Sequence, residues 1–407
     1  MHRYLLRHSR RNGILLSLVL LIWGANTFWL TPDPSLQTSG AGNPGAQANP
    51  NPQSSPDATS CAPCHASIAA SHLHTAHWLS SAPAGATTIK GSFRNGRNRF
   101  TYNDRLEVIM EKKKGIFLQS AWFNGSLYEA EAFDIVIGSG RKGQSYLYWD
   151  NNRLLQLPIS YYTPADAWCN SPGYPMNMAY FNKQVPGQCM ECHATAANLF
   201  TDDNGAVTYE KNSVVLGIDC RRCHGDATQH IAWHQAHPAD SLKGRYIVNA
   251  SHFSRQQRLD ACALCHSGFR KQLTPSFSFH VGDTLDKFST AVYDSTTAAN
   301  ANLDVHGNQY GLLTSSKCFI RSATLDCSSC HNVHVDEAGQ LRTFSQRCRN
   351  CHNPLPPHPG RDSALLVANC IDCHMPALAS NKILLQLTGS PKPVHDLVRT
   401  HHIAIYP

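Results

Sequence analysis

The sequence predicts a fold of mostly short α-helices and loops organised by a repeated cysteine–histidine motif, with one inserted antiparallel β-rich module. Three observations predict it. A pentapeptide Cys-x-x-Cys-His occurs seven times, successive copies in the second half lie close together, and one long cysteine-free stretch carries a different, strand-like pattern. The copies are Cys61-x-x-Cys64-His65, Cys189-x-x-Cys192-His193, Cys220-x-x-Cys223-His224, Cys262-x-x-Cys265-His266, Cys327-x-x-Cys330-His331, Cys348-x-x-Cys351-His352 and Cys370-x-x-Cys373-His374. This is the attachment pattern of c-type haem: two thiols add to the two vinyl groups of one porphyrin edge, and the adjacent imidazole reaches the iron from the proximal face. Chance supplies only ~0.04 such pentapeptides in a chain of this composition, so seven copies imply seven covalent haems. Zinc sites and disulfides also use paired cysteines. Neither explains why fourteen of the sixteen cysteines fall in motifs whose second cysteine is always followed by histidine.

The N-terminus carries Arg3, Arg7, Arg10 and Arg11 ahead of an apolar run from Ile14 to Trp23 that continues less cleanly to Leu30. Residues 1–30 therefore read as a signal peptide or an N-terminal membrane anchor. Export agrees with the chemistry, because c-type haem is attached outside the cytoplasm. Residues 31–58 are Pro, Gly, Ala, Asn, Gln and Ser with almost no large apolar side chain, the composition of a flexible linker. The first haem-binding segment, residues 59–84, contains a helical stretch with His72, His74 and His77; the first two read as solvated, the third as a ligand candidate.

Residues 85–168 form the expected β-rich insert. Runs at Leu106–Met110, Ile116–Trp122, Phe133–Ile137, Tyr146–Trp149 and Leu154–Tyr162 are separated by turn signals such as Asn95-Gly96 and Asn124-Gly125. Within it, Gly138-Ser-Gly140-Arg-Lys-Gly143 matches the dinucleotide fingerprint. That fingerprint requires a helix to open at its last glycine, and here the chain continues into Gln144-Ser-Tyr-Leu-Tyr-Trp149, a strand pattern. A glycine-rich hairpin turn is the reading that fits.

The remaining residues, 169–407, form the six-haem segment. Its proximal histidines are spaced by 31, 42, 65, 21 and 22 residues. So little chain per haem cannot build a side-chain core, and porphyrin faces must supply much of the buried apolar surface.

Sixteen histidines remain for seven distal positions, and only six methionines are present, so bis-histidine ligation is expected. His334, three residues after His331, cannot cross to the far face of its own iron and must serve a neighbouring haem. His230, six after His224, and His358, six after His352, follow the same logic. His234, His237, His252, His280, His395 and His402 are weaker candidates. Cys169 and Cys318 lie outside the motifs; a disulfide between them and a buried free thiol both remain open.

The strings Ile137-Gly-Ser-Gly-Arg-Lys-Gly-Gln-Ser-Tyr-Leu-Tyr148, Leu157-Pro-Ile-Ser-Tyr161 and Trp168-Cys-Asn-Ser-Pro-Gly-Tyr174 resemble the β-insert of exported multihaem cytochromes related to the cytochrome c-554 type. Cys223-His-Gly225 with His230, His306-Gly-Asn-Gln-Tyr310, Ser316-Lys-Cys-Phe319, and Cys373-His-Met-Pro376 with Arg399-Thr-His401 are similar to the same group. The resemblance spans roughly residues 58–407 and implies a multihaem cytochrome c. It also supports His77, His306 and His401 as distal ligands, completing the set of His77, His230, His306, His334, His358 and His401 for seven irons.

The function expected is extracytoplasmic transfer of single electrons along closely spaced haems. Partners would be a membrane quinol-linked donor or a soluble or outer acceptor. The alternative is an oxidoreductase acting on a small nitrogen or sulfur compound at one haem with an open distal position. A net charge of +7 would ordinarily raise nucleic acid as a partner, but two propionates per haem offset it, and no basic repeat is present. Arg221, Arg222 and Arg349, beside the motifs, are expected to meet propionates.

Overall fold

The computed structural model describes residues 56–240, 244–292, 303–304, 306–355, 360, 362–390 and 392–406. The expected N-terminal segment 1–30, nearly all of the 31–58 linker, and His358 lie outside the described residues.

The expectation of mostly short helices and loops is overturned. Among the described residues there are nineteen strands in six antiparallel sheets. The α-helices are indeed short, the longest being Arg255–His266. Two of the sheets are large. A four-stranded meander runs Arg99–Thr101, Leu106–Lys113, Ile116–Phe123, Ser126–Ala132. A seven-stranded sheet orders Ser81–Pro83, Ile135–Ile137, Gly143–Asp150, Arg153–Gln156 and Lys183–Gln184, with Ile159–Tyr162 and Ala167–Asn170 branching from Gly143–Asp150.

The other four sheets are hairpins that the sequence reading did not foresee. They are Ala194–Ala196 with Val215–Leu216, Leu199–Thr201 with Val207–Tyr209, Arg270–Gln272 with Ser289–Ala291, and Ala377–Leu385 with Val394–Arg399. The physical reason is the cost of unpaired backbone. Between closely spaced motifs the chain must leave and return, and a hairpin pairs its amides and carbonyls locally without needing a side-chain core. Strands of two or three residues carry no readable alternation.

The conventional core lies between the two large sheets. Phe100, Val108, Met110, Ala121, Tyr146, Leu157, Ile159, Trp168 and Phe181 are all essentially buried there. Phe93, Phe133, Tyr146 and Tyr161 surround the Trp168 indole edge-on or tilted, and its N–H donates to the Ser92 carbonyl at 2.9 Å. Gly91 is obligatory at this point, because a Cβ there would sit 2.2 Å from the indole. Beyond residue 218 buried apolar side chains thin out to small groups such as Ala263, Phe279 and Leu285. Large apolar side chains beside the motifs are instead exposed: Ile68, Phe269, Ile320 and Val333, the last lying between His331 and His334. Exposed apolar surface beside attachment motifs is what porphyrin faces would cover.

The glycine-rich sequence at 138–143 joins the antiparallel strands Ile135–Ile137 and Gly143–Asp150. No helix opens at Gly143. No helix of the described residues is long and apolar enough to cross a membrane.

Candidate functional site

Each attachment motif is about one helical turn. The amides of His65, His331, His352 and His374 bond to the carbonyls of Cys61, Cys327, Cys348 and Cys370 at 2.9–3.1 Å. First cysteine and histidine are thereby placed four residues apart on one face, and thiol and imidazole address the same space. Motif turns are started by caps. The Asp219 carboxylate accepts from the Arg221 amide at 2.9 Å, Asp326 accepts from Ser329 at 3.1 Å, and Ser254 and Gln257 form a capping box ahead of Cys262. Burial raises the Asp326 carboxyl, but the Ser328 hydroxyl and the Arg258 guanidinium outweigh this and hold it below the usual range.

Eight of the described histidines then fall into four facing pairs, each joining a motif histidine to one outside its own motif. His65 faces His230 with ring centroids 6.4 Å apart and planes 17° apart. His224 faces His334 at 6.2 Å and 16°, and His331 faces His401 at 6.2 Å and 26°. His77 faces His266 at 6.2 Å but nearly perpendicular, 80°. These gaps are too wide for ring contact and are matched by one metal ion. With a metal–nitrogen bond of about 2.0 Å on each side, two imidazoles bound through Nε2 set their centroids about 6.2 Å apart.

The hydrogen bonds of the opposite ring nitrogen point the same way. Nδ1–H donates to a backbone carbonyl at His224 (Val248, 2.9 Å), His230 (Arg245, 2.8 Å) and His374 (Ala404, 2.8 Å). That bond fixes the tautomer and leaves the Nε2 lone pair for a metal. His77 and His401 are pushed down to about 4, chiefly by burial and then by neighbouring imidazoles, so both are neutral at physiological pH, the form that binds iron.

His306 lies beside the C-terminal hairpin: its amide and the Ser380 hydroxyl both donate to Asp304. No described imidazole stands opposite it. His193 is half-buried, its Nδ1 shielded from solvent without a hydrogen-bond partner among the described residues, and no described imidazole faces it at the paired spacing. His352 has none either.

Several other side chains have partners within the protein. His72 comes within 6.5 Å of His334, tilted by 60°, but its Nε2 donates to the Ile218 carbonyl at 2.9 Å, which leaves His224 as the better partner. His395, a weak candidate from sequence, donates Nδ1–H to the Ser380 carbonyl at 2.8 Å, as the ligand-like histidines do. His237 stacks on Trp233 at 3.8 Å. Arg221 forms a buried ion pair with Asp219, Arg222 donates to the Glu191 carbonyl, and Arg349 reaches Gln346. Cys169 is buried against Tyr162 and Leu385, whereas Cys318 lies near Cys330 and Cys351. Both are free thiols.

Every motif cysteine is also unpaired. Thiols of different motifs are near neighbours that influence one another electrostatically: Cys61 and Cys220, Cys192 and Cys265, and Cys262 and Cys327. Among the described residues no cluster of three or more His, Cys, Asp or Glu side chains is arranged to hold a metal ion by itself. Facing imidazole pairs, free thiols on the same turn as a histidine, and bare apolar surface beside them all fit haem.

A family model described as cytochrome c554 and c-prime matches residues 175–225, the stretch holding the Cys189 and Cys220 motifs. No curated protein matches the chain. Among solved structures the chain is similar to the crystal structure of outer cell wall cytochrome OcwA, with a TM-score of 0.52 and 14% identity over 86% of this chain and 79% of that one. At that identity the likeness concerns the fold alone. The family-model match and the shared fold, read with the motifs, support a multihaem c-type cytochrome.

Proposed function

We propose that this protein carries seven covalent haems and passes single electrons along them outside the cytoplasm. The observation that carries the reading is the set of imidazole pairs, each joining a motif histidine to one outside its own motif, at 6.2–6.4 Å. In this reading His65, His193, His224, His266, His331, His352 and His374 are proximal ligands. His230, His334, His77 and His401 are distal ligands to the irons of His65, His224, His266 and His331. His306, His358 and His395 are the candidates for the rest.

Bound haem supplies a one-electron couple at each iron, with no bond made or broken in a substrate. The chain's residues do the remainder. Paired imidazoles close both axial positions to small ligands. Ligands shared between motifs hold neighbouring sites together: the segment from His224 to His230 ties the third site to the first, and that from His331 to His334 ties the fifth to the third. Neighbouring thiols of different motifs would hold their attachment sites close together. Redox partner proteins are expected on both sides: a membrane quinol-linked donor and a soluble or outer acceptor. The N-terminal charge and apolar pattern, and the outer-cell-wall source named for the similar structure, support an extracytoplasmic location.

One observation favours the second reading, an oxidoreductase acting on a small nitrogen or sulfur compound. His193 and His352 have no described imidazole opposite, so their haems are the candidates for an open distal position. Electron paramagnetic resonance of the oxidised holo-protein separates the two. Only low-spin signals, with a mass showing seven haems, support the conduit. A stoichiometric high-spin haem that binds nitrite or cyanide supports the enzyme, and fewer than seven haems contradicts both.

A further inference from the structure

The glycine-rich turn at 138–142 imitates a nucleotide fingerprint and has no part in electron transfer as described so far. Its geometry is nevertheless closely specified. Gly138 has φ +101°, and a Cβ there would lie 2.7 Å from the Gly143 carbonyl oxygen; Gly140 has φ +81°. The Gln144 side chain ties the turn to its surroundings, donating to the Thr88 carbonyl at 2.9 Å and accepting from the Lys90 amide at 2.8 Å. Thr163 closes the far side, its hydroxyl donating to the Gly140 carbonyl at 2.6 Å and its amide to that of Lys142 at 3.0 Å. A turn held so firmly projects two adjacent cations in fixed directions.

Those cations grip two ligand-bearing segments. Arg141 pairs with Asp336 and donates to the His74 carbonyl at 3.4 Å. Asp336 ends the loop that starts at His331 and contains His334. The same loop is held on its other flanks by the Ser71 hydroxyl, which donates to the His334 carbonyl at 2.8 Å, and by Glu337, which accepts from the Asn332 amide and from Arg347. Lys142 reaches buried Asp396 at 3.2 Å and the Leu397 carbonyl. Asp396 also accepts from the Tyr162 hydroxyl at 2.9 Å, so the strand Val394–Arg399 is anchored to the β-rich module just before it delivers His401.

We infer that this turn is a positioning clamp: Arg141 and Lys142 join the β-rich module to the His331–His334 loop and the His401 strand, and so set the axial geometry of the His224/His334 and His331/His401 irons. The inference rests on the bis-histidine reading above. Arg141 and Asp336 are each more than a third exposed, and such an ion pair contributes little to global stability. Its removal should therefore alter ligand geometry without unfolding the protein.

The test uses the full haem-loaded chain and compares parent, Arg141→Ala, Asp336→Asn, Arg141→Lys and Lys142→Ala by low-spin electron paramagnetic resonance and potentiometric titration. Haem content and far-ultraviolet circular dichroism are measured alongside. The expected result is a shift in g-values and potential confined to the His224/His334 and His331/His401 haems. It should be the same for Arg141→Ala and Asp336→Asn, since they cut one tie from either end, and smaller for Arg141→Lys, which keeps the charge. Lys142→Ala should move the His331/His401 signal more than the other. Spectra and potentials identical to the parent in both Arg141→Ala and Asp336→Asn would overturn the clamp. So would equal movement of the His65/His230 signal, which marks general loosening. If the parent itself lacks low-spin signals, it is the bis-histidine reading that has failed, not the clamp.

Discussion

Removing the His334 imidazole should convert one haem from low to high spin while leaving the fold in place. The rings of His224 and His334 are nearly parallel at 6.2 Å, the separation set by two metal–nitrogen bonds of about 2.0 Å. In His334→Ala that arrangement loses one side, and the iron carried by His224 has no other described imidazole placed to replace it. His72 is 6.5 Å from His334, but its ring nitrogen is committed to the Ile218 carbonyl. The loop itself does not depend on the ring, because the His334 amide donates to Asn332 Oδ1 at 3.1 Å and its carbonyl accepts from Ser71. The expected change is thus one haem equivalent of high-spin ferric signal gained and one low-spin equivalent lost, at unchanged haem content. Added imidazole, which fits the vacated side, should restore the low-spin signal. The assay is electron paramagnetic resonance with spin quantitation on oxidised protein, before and after imidazole. A variant that keeps full haem content and gains no high-spin signal would refute the assignment of His334 as a ligand.

The near-perpendicular His77/His266 pair should give a strongly anisotropic low-spin signal, because crossed imidazoles leave the two iron d-orbitals that bind them almost degenerate. The near-parallel pairs should give ordinary rhombic signals, and four indistinguishable signals would contradict the ring angles. Glu337→Gln should lower the apparent Tm by roughly 2–4 °C, from the loss of about 2 kcal/mol of charge-assisted hydrogen bonding to Arg347 in a mostly buried setting. The Arg347 guanidinium holds the Glu337 carboxyl below its usual range. Its stabilisation is therefore complete above the unfolded value near 4.3 and lost as pH falls through the lower folded value, so parent and variant should converge in acid. Cys169, whose thiol burial raises to about 12, should resist alkylation in the folded protein and react only after denaturation; labelling at the native rate of an exposed thiol would contradict its burial.

Different features were legible for different physical reasons. The attachment motifs could be read because their chemistry fixes residue type and spacing together. Strands such as Leu106–Lys113 and Ile116–Phe123 could be read because they are long enough to alternate and are joined by a glycine turn. The hairpins at Ala194–Ala196 and Arg270–Gln272 could not, since three residues carry no period, so the sequence pattern overstates the helical share of the fold. Spacing alone excluded His334 from its own iron. Nothing in the sequence named His224 as its partner, because the two are brought together by contacts as remote as Ser71 to His334 and Arg141 to Asp336. The ligand-like bond of His395 is equally invisible in sequence, since its acceptor is a main-chain carbonyl in the opposite strand.

Sequence distance also misleads about the first motif, which lies more than a hundred residues before the next and looks detachable. Its cysteine Cys61 lies near Cys220 of the third motif, and its imidazole faces His230, six residues beyond the third proximal histidine. The third site shares the His331–His334 loop with the fifth, Cys327 of the fifth lies near Cys262 of the fourth, and Cys265 of the fourth lies near Cys192 of the second. These contacts link the first site to the third, the third to the fifth, the fifth to the fourth and the fourth to the second, and Cys223 of the third motif also lies near Cys265 of the fourth. His77 carries the segment after the first motif across to His266 of the fourth. The first motif is therefore tied into the cluster at two points, through His230 and through His77, and is not the detachable unit that its distance along the chain suggests.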